Sequence, residues 1–248
     1  MTGLIYKECK QNRFFLIATI VLPLFVFFLP VVILRRDGSL VMTVQRLTTE
    51  GGQTARILFI IIGCLVAGAM QTFTYMGDDS KKWSYFIASN PEGVKGYIYT
   101  KYMLILGMCM LFVFSMEMSD LLYGAFFFRV TKQSYQSMST FFIVLFYFQL
   151  FLRAIDMPFM IRFGMKQGSM IKMLLLLVAL FIILVVFAAN PSTMIAFGKA
   201  IESLTRNEKE NVMLVVTGLF PYVSIGTFVL SYKISCKLYR KGVEHYDK

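Results

Sequence analysis

Histidine is almost missing from this 248-residue chain: the one copy, His245, lies in the C-terminal tail. That leaves little scope for histidine-based acid–base catalysis. The four cysteines, Cys9, Cys64, Cys109 and Cys236, include no Cys-x-x-Cys pair, so neither a disulfide framework nor a thiolate metal site is expected. A phosphate-cradling loop needs Gly-x-x-x-x-Gly-Lys-Ser/Thr. The pair Gly198-Lys199 has Thr193 in place of the first glycine and Ala200 in place of the hydroxyl. The chain is therefore expected to carry no cofactor and no nucleotide site of its own. Charged residues are also sparse, at 16%, and no gap between the apolar runs is long enough for a separate soluble domain.

What is present is apolar. Hydrophobic residues make up 57% of the chain, with 25 Phe and 17 Met. They gather in six runs, at 14–34, 57–77, 103–124, 139–161, 170–189 and 211–232. A bilayer core of about 30 Å needs roughly 20 mostly apolar helical residues, and each run supplies that length. The period-2 alternation of barrel strands is absent from runs such as Phe14–Leu34. The expectation is an all-α, polytopic membrane protein: one permease-sized domain, 1–248, with six transmembrane helices. Phe14–Leu34 is too long for a signal-peptide core and runs into Arg35-Arg36, so it reads as a retained first helix.

The net charge of +11 is a topology signal rather than a nucleic-acid signal. With both termini on one side, that side holds 15 Lys and Arg against 9 on the other, with Arg153 inside a span. The positive-inside rule then places both termini in the cytoplasm of a plasma membrane, where the basic excess also attracts anionic headgroups. Residues 1–13 are expected to form an interfacial helix, with Leu4, Ile5, Tyr6 and Cys9 on an apolar flank and Lys7, Glu8, Lys10 and Arg13 facing headgroups. Outside, Arg35–Arg56 reads as a flexible loop containing Gly38, Gly51 and Gly52. The segment 191–210 reads as an amphipathic helix at the outer face, from the helical spacing of Met194, Phe197, Ile201 and Leu204. Gly63 and Ala67, four apart, offer a site of close helix approach.

The longest internal cytoplasmic gap, 77–102, concentrates its polarity. Asp78-Asp79-Ser80-Lys81-Lys82 leads into Trp83, Tyr85 and Phe86, and a break follows at Ser89-Asn90-Pro91-Glu92-Gly93. Asn90 suits a helix cap, Pro91 the first turn and Glu92 its positive end. The residues alone fit either an ordinary interfacial loop or two short helices meeting at a turn, with Val94–Tyr102 feeding into span three.

This run resembles the intracellular segment of ABC-2-type transporter permeases: an Asp, an aromatic, a short turn at Pro, and a helix closing on Lys-Tyr. Asp79, Trp83, Tyr85, Ala88, Pro91, Ile98, Lys101 and Tyr102 stand in those places. Gly3-Leu4-Ile5-Tyr6-Lys7-Glu8 is similar to the N-terminal start of the same family. The subgroup it resembles is the small permeases of bacterial peptide exporters, including the phenol-soluble modulin exporter. One departure is Asn90-Pro91-Glu92-Gly93, where the family often has Pro-Val-Ser-Arg. The resemblance implies a bacterial permease working with a cytoplasmic ABC ATPase that binds ATP and Mg, and with a second permease copy or a related subunit. It implies an amphipathic peptide cargo, and ATPase coupling through Asp79, Lys81, Lys82, Trp83, Tyr85, Pro91, Glu92, Lys95 and Lys101. Lipid-like or drug-like cargo is the alternative, and a non-catalytic immunity or sensor role is another.

Glu117 and Asp120 fall deep inside expected span three, and Arg153 and Asp156 inside span four. Charges in hydrocarbon cost several kcal/mol and normally face a protein interior or a water-filled path. They are read either as candidates for a translocation path or as a structural pair and interfacial carboxylates. No nucleophile–base or metal-ligand arrangement accompanies them, which argues against an intramembrane enzyme.

Overall fold

The structure is a computed structural model, and it describes residues 2–33, 50–75, 87, 93–132, 135, 137–189 and 209–244. Among these residues every regular element is a helix. Helix α1 covers Thr2–Gln11, α2 Arg13–Ile33 and α3 Glu50–Thr72, the last closing in a 3-10 turn at Phe73–Tyr75. Helix α4 covers Gly93–Thr131, α5 Ser139–Ala189 and α6 Lys209–Glu244. Three stretches are long and apolar enough to cross a membrane, Arg56–Tyr75, Gly93–Thr131 and Phe141–Gly164. A fourth is added if α1 and α2, bent by 60°, form one span. The expected spans at 170–189 and 211–232 are helical, within α5 and α6.

Two compact units divide the chain, Met1–Arg153 and Ala154–Lys248. In the first, α2 packs on both α3 and α4. Val26, Phe27 and Val31 of α2 meet Ile60, Cys64 and Ala67 of α3, Phe112, Met116, Tyr123 and Phe127 of α4, and Phe142 and Leu145 of α5. The close approach of α2 and α3 depends on Gly63. A methyl group there would lie 2.5 Å from Cγ2 of Val26. Helix α4 buries one face, including Tyr97, Lys101, Ile105, Met108, Phe112, Ser119 and Tyr123, at helical spacing.

In the second unit, Gly164 breaks α5 with φ 72° and ψ 176°, a conformation open chiefly to glycine. The chain returns so tightly that a methyl on Gly168 would lie 2.9 Å from the Phe159 carbonyl oxygen. Helix α6 buries Ser224, Ser231 and Ser235. The Ser231 hydroxyl donates to the carbonyl of Ala154 at 2.5 Å.

Two boundaries differ from the sequence expectation. The outer loop expected to reach Arg56 ends by Glu50, where α3 begins and carries Gly51 and Gly52 as helix. Span three, expected to stop at 124, continues as helix to Thr131. It ends there because Lys132 takes a left-handed conformation and its N–H closes on the Phe128 carbonyl at 2.9 Å. The expected amphipathic segment 191–210 lies almost wholly outside the described residues.

The Gly63 contact generates a packing prediction. Gly63→Ala should lower the stability of the chain in detergent by about 1–3 kcal/mol, the usual cost of overpacking. Adding Val26→Ala should restore most of the loss. Thermal melts of the two variants check this, and an unchanged melt for Gly63→Ala would show that α2 and α3 are not in close contact there.

Candidate functional site

Charged side chains taken out of water need partners, and this requirement assembles one end of the first unit. The ammonium of Lys101, fully buried on α4, lies 2.7 Å from Oε2 of Glu8, itself 1% exposed on α1. The same ammonium donates to the Thr74 carbonyl at 2.9 Å. That carbonyl belongs to the 3-10 turn ending α3, where backbone acceptors lack helical partners and the helix dipole favours a cation. Tyr75 and Tyr97 place their rings within 5.4 and 5.8 Å of the ammonium. Oε1 of Glu8 accepts from Lys7 at 3.1 Å. Asn12, at the bend between α1 and α2, donates to the Glu8 carbonyl at 2.9 Å and to Oε2 at 3.3 Å. Phe15 stacks on Phe73 beside this node, centroids 5.6 Å apart and planes at 9°. One ammonium thus joins α1, the foot of α3 and the foot of α4.

A second node closes the other end. Arg56 of α3 hydrogen-bonds the Tyr135 hydroxyl, which donates to Oδ1 of Asp120 on α4. Arg56 also lies 3.9 Å from Oδ1 of Asp120, with its guanidinium 4.8 Å from the Tyr123 ring centroid and 5.2 Å from that of Tyr135. Oδ2 of Asp120 accepts from the Ser137 hydroxyl at 2.8 Å and the Met138 N–H at 3.1 Å. Burial, followed by the hydrogen bond to Asp120, pushes the Tyr135 hydroxyl pKa above its ordinary value. This node pins the connection between α4 and α5 onto α3.

The spacing of the two nodes is informative. Between Lys101 and Asp120, α4 rises about 28 Å at 1.5 Å per residue. Between Arg56 and Thr74, α3 covers about 27 Å by the same rise. Both lengths match a hydrocarbon core of about 30 Å. Between the nodes α5 holds α3 by its backbone. Gln149 donates to the Cys64 carbonyl at 3.2 Å, and Arg153 to the Gly68 carbonyl at 2.9 Å. A methyl on Gly68 would lie 2.9 Å from Nη2 of Arg153, so glycine is what admits the guanidinium.

With this geometry in place, the sequence matches the family described as ABC-2 family transporter protein over residues 3–240. The chain belongs to the ABC-2 transporter family. Searches of curated proteins and of solved structures give no match. Membership in the ABC-2 family implies a multi-pass membrane component that works with an ABC ATPase.

The residues singled out in this ABC-2 protein fall in different settings. Asp79, Lys81, Lys82, Trp83, Tyr85, Pro91 and Glu92 lie outside the described residues, as does Asn90. Ile87, within the same segment, is buried. Lys95 is exposed near the start of α4, two turns before the buried Lys101. Asp120 belongs to the Arg56 node and Arg153 to the α3 backbone contact. Asp156 is buried in the second unit. Glu117 is partly exposed.

One expectation is corrected and several residues are additions. Glu8 does not face headgroups with Lys10 and Arg13, which are exposed. It turns inward because Lys101 needs an anion there. Arg56, Tyr135 and Asn12 were not singled out as site residues. A signal for Glu8 was available, since the N-terminal motif ends on Glu8 and the segment entering α4 ends on Lys101-Tyr102. Opposite charges closing two motifs at one membrane face are candidates for each other.

Removing one member of a buried pair costs about 3–5 kcal/mol, because the other charge is stranded. Lys101→Met alone and Glu8→Gln alone should therefore each destabilise the protein severely. The double variant should recover a coupling energy above about 1 kcal/mol. A double-mutant cycle of unfolding in mixed micelles measures this, and strict additivity would dissolve the node.

Proposed function

We propose that the chain is the permease subunit of an ABC exporter in a bacterial plasma membrane, moving amphipathic peptides outward by alternating access. The reading has six spans with both termini in the cytoplasm, supported by the 15 to 9 division of basic residues. Residues 1–13 lie along the inner face. A separate ATPase binds ATP and Mg and docks on the 77–102 elbow, and a second copy or related permease completes the path.

The observation that carries this reading is the Glu8–Lys101–Thr74 node. Transport driven by a separate ATPase needs a stiff element that transmits motion from a docking surface to the spans. The elbow enters α4 just before Lys101, and leaves α3 just after Thr74. Force applied to it reaches α3, α4 and α1 together, since one buried ammonium joins all three. Lys95, exposed on the first turn of α4, is placed to meet the ATPase.

The elbow assignment is tested by reversing Lys81 and Lys82 to Glu and pulling down the permease. The variant should insert and fold, yet lose the co-purifying ATPase and substrate-stimulated ATP hydrolysis. Normal coupling would refute the docking role, and absence of any ATPase with the wild-type chain would favour a sensor or immunity role. Orientation is read from single cysteines in a cysteine-free background. Gln45→Cys should react with an impermeant thiol reagent in intact cells and Asn90→Cys should not, with the reverse pattern overturning the topology. Cells lacking the complex should become sensitive to amphipathic peptides. Sensitivity to small lipophilic drugs alone would move the cargo to the lipid-like or drug-like class.

A further inference from the structure

The surfaces that α2 and α4 leave uncovered differ in kind. The exposed face of α2 runs through Phe14, Ile17, Val21, Leu24, Phe25 and Val32 without an ionisable group, which suits lipid. The exposed stripe of α4 runs through Met103, Met110, Phe114, Leu121 and Phe128 at helical spacing. It contains two interruptions. Gly107 has open space in front of it. Glu117 sits one turn inside the Arg56–Asp120 level, with Phe114 and Leu121 on either side.

Glu117 makes no hydrogen bond or ion pair among the described residues, and the charge acting on it is Asp120, of the same sign. Asp120 is itself fully engaged by Arg56, Tyr135, Ser137 and Met138. Helical side chains lean toward the N-terminus of their helix, so Glu117 leans from the outer node toward the middle of the membrane. Reaching the outer headgroups is therefore unfavourable. A carboxylate there facing acyl chains is costly. A second copy meeting the same face would set Glu117 against Glu117, adding like-charge repulsion.

We propose that the Met103–Phe128 stripe of α4, centred on Glu117, binds the cationic group of an amphiphile: an ammonium, guanidinium or phosphonium carried on an apolar body. The inference rests on the reading of the chain as a transport permease and names the chemistry of its cargo. Methionine and phenylalanine give an adaptable apolar wall, Gly107 a notch in it, and Glu117 the single counter-charge. Met103, Met110 and Phe114 tolerate cargo of variable shape, whereas Glu117 selects its charge.

The test uses the full chain in lipid nanodiscs, so that binding is read whether or not an ATPase co-purifies. A fluorescent Leu/Lys helical peptide is compared with a Leu/Ser analogue of equal length. The Lys peptide should bind at least about tenfold tighter, as expected for one desolvated charge contact. Glu117→Gln should abolish that preference and Glu117→Asp should keep it. Tetraphenylphosphonium should displace the Lys peptide, and failure of displacement overturns the proposal for phosphonium amphiphiles. An equal preference in Glu117→Gln, or no preference in the wild type, overturns the proposal. Dicyclohexylcarbodiimide labelling of the wild-type protein gives a readout that needs no variant. Mass spectrometry should find the adduct on Glu117, with protection by the Lys peptide and not by the Ser analogue. Labelling that neither peptide alters overturns the proposal as well.

Discussion

An ammonium ion held away from water has few stable arrangements, and Lys101 adopts one of them. It is fully buried, with a carboxylate at 2.7 Å, a carbonyl at 2.9 Å and two tyrosine rings around it. Each partner comes from a different part of the chain, so satisfying one charge fixes three elements. Glu8 brings α1, Thr74 brings the end of α3, and Lys101 is the root of α4. The 60° bend at Asn12 follows from the same constraint, because α1 must turn away from α2 to place Glu8 over the ammonium.

The Arg56–Asp120 node repeats the solution at the opposite end with different chemistry. A guanidinium between two tyrosine rings replaces the ammonium, and Asp120 also satisfies the Met138 backbone N–H at the entry to α5. Between the nodes the packing is mostly apolar and depends on shape, with Gly63 admitting Val26, and it is crossed by the Gln149 and Arg153 contacts to the α3 backbone. The first unit of this ABC-2 protein therefore concentrates its ion pairs at two levels one hydrocarbon thickness apart. That division suits a permease whose spans move as stiff bodies while the surface facing cargo conforms to it.

The stretches Arg56–Tyr75, Gly93–Thr131 and Phe141–Gly164, long and apolar enough to cross a membrane, overlap runs that were legible because about 20 consecutive apolar residues have few alternatives. The partners of the charges were not. Glu8 and Lys101 lie 93 residues apart, and either one alone looks like an ordinary charge at a span end. The buried face of α4 was equally hidden. Tyr97, Met108 and Phe112 face the core, while Met103, Met110 and Phe114 face outward, so hydropathy does not separate the two sides. Gly51 and Gly52 read as loop, although α3 runs through them, because local propensity is a weak prior against a long helix. Asp120 and Glu117 looked alike in sequence, three apart on one helix. Their environments separate them, since Asp120 is saturated by partners and Glu117 has none among the described residues.

The proposed coupling requires that α1 and the feet of α3 and α4 move as one rigid lever. Spin labels at exposed positions 10 on α1 and 99 on α4 report on it directly, in the permease–ATPase complex without nucleotide and in the vanadate-trapped state. A rigid lever keeps the 10–99 distance distribution the same in both states, while distances from position 10 to a label on the ATPase change. A shift of the 10–99 distribution on trapping would mean that the Glu8–Lys101 node opens during the cycle, which contradicts the lever.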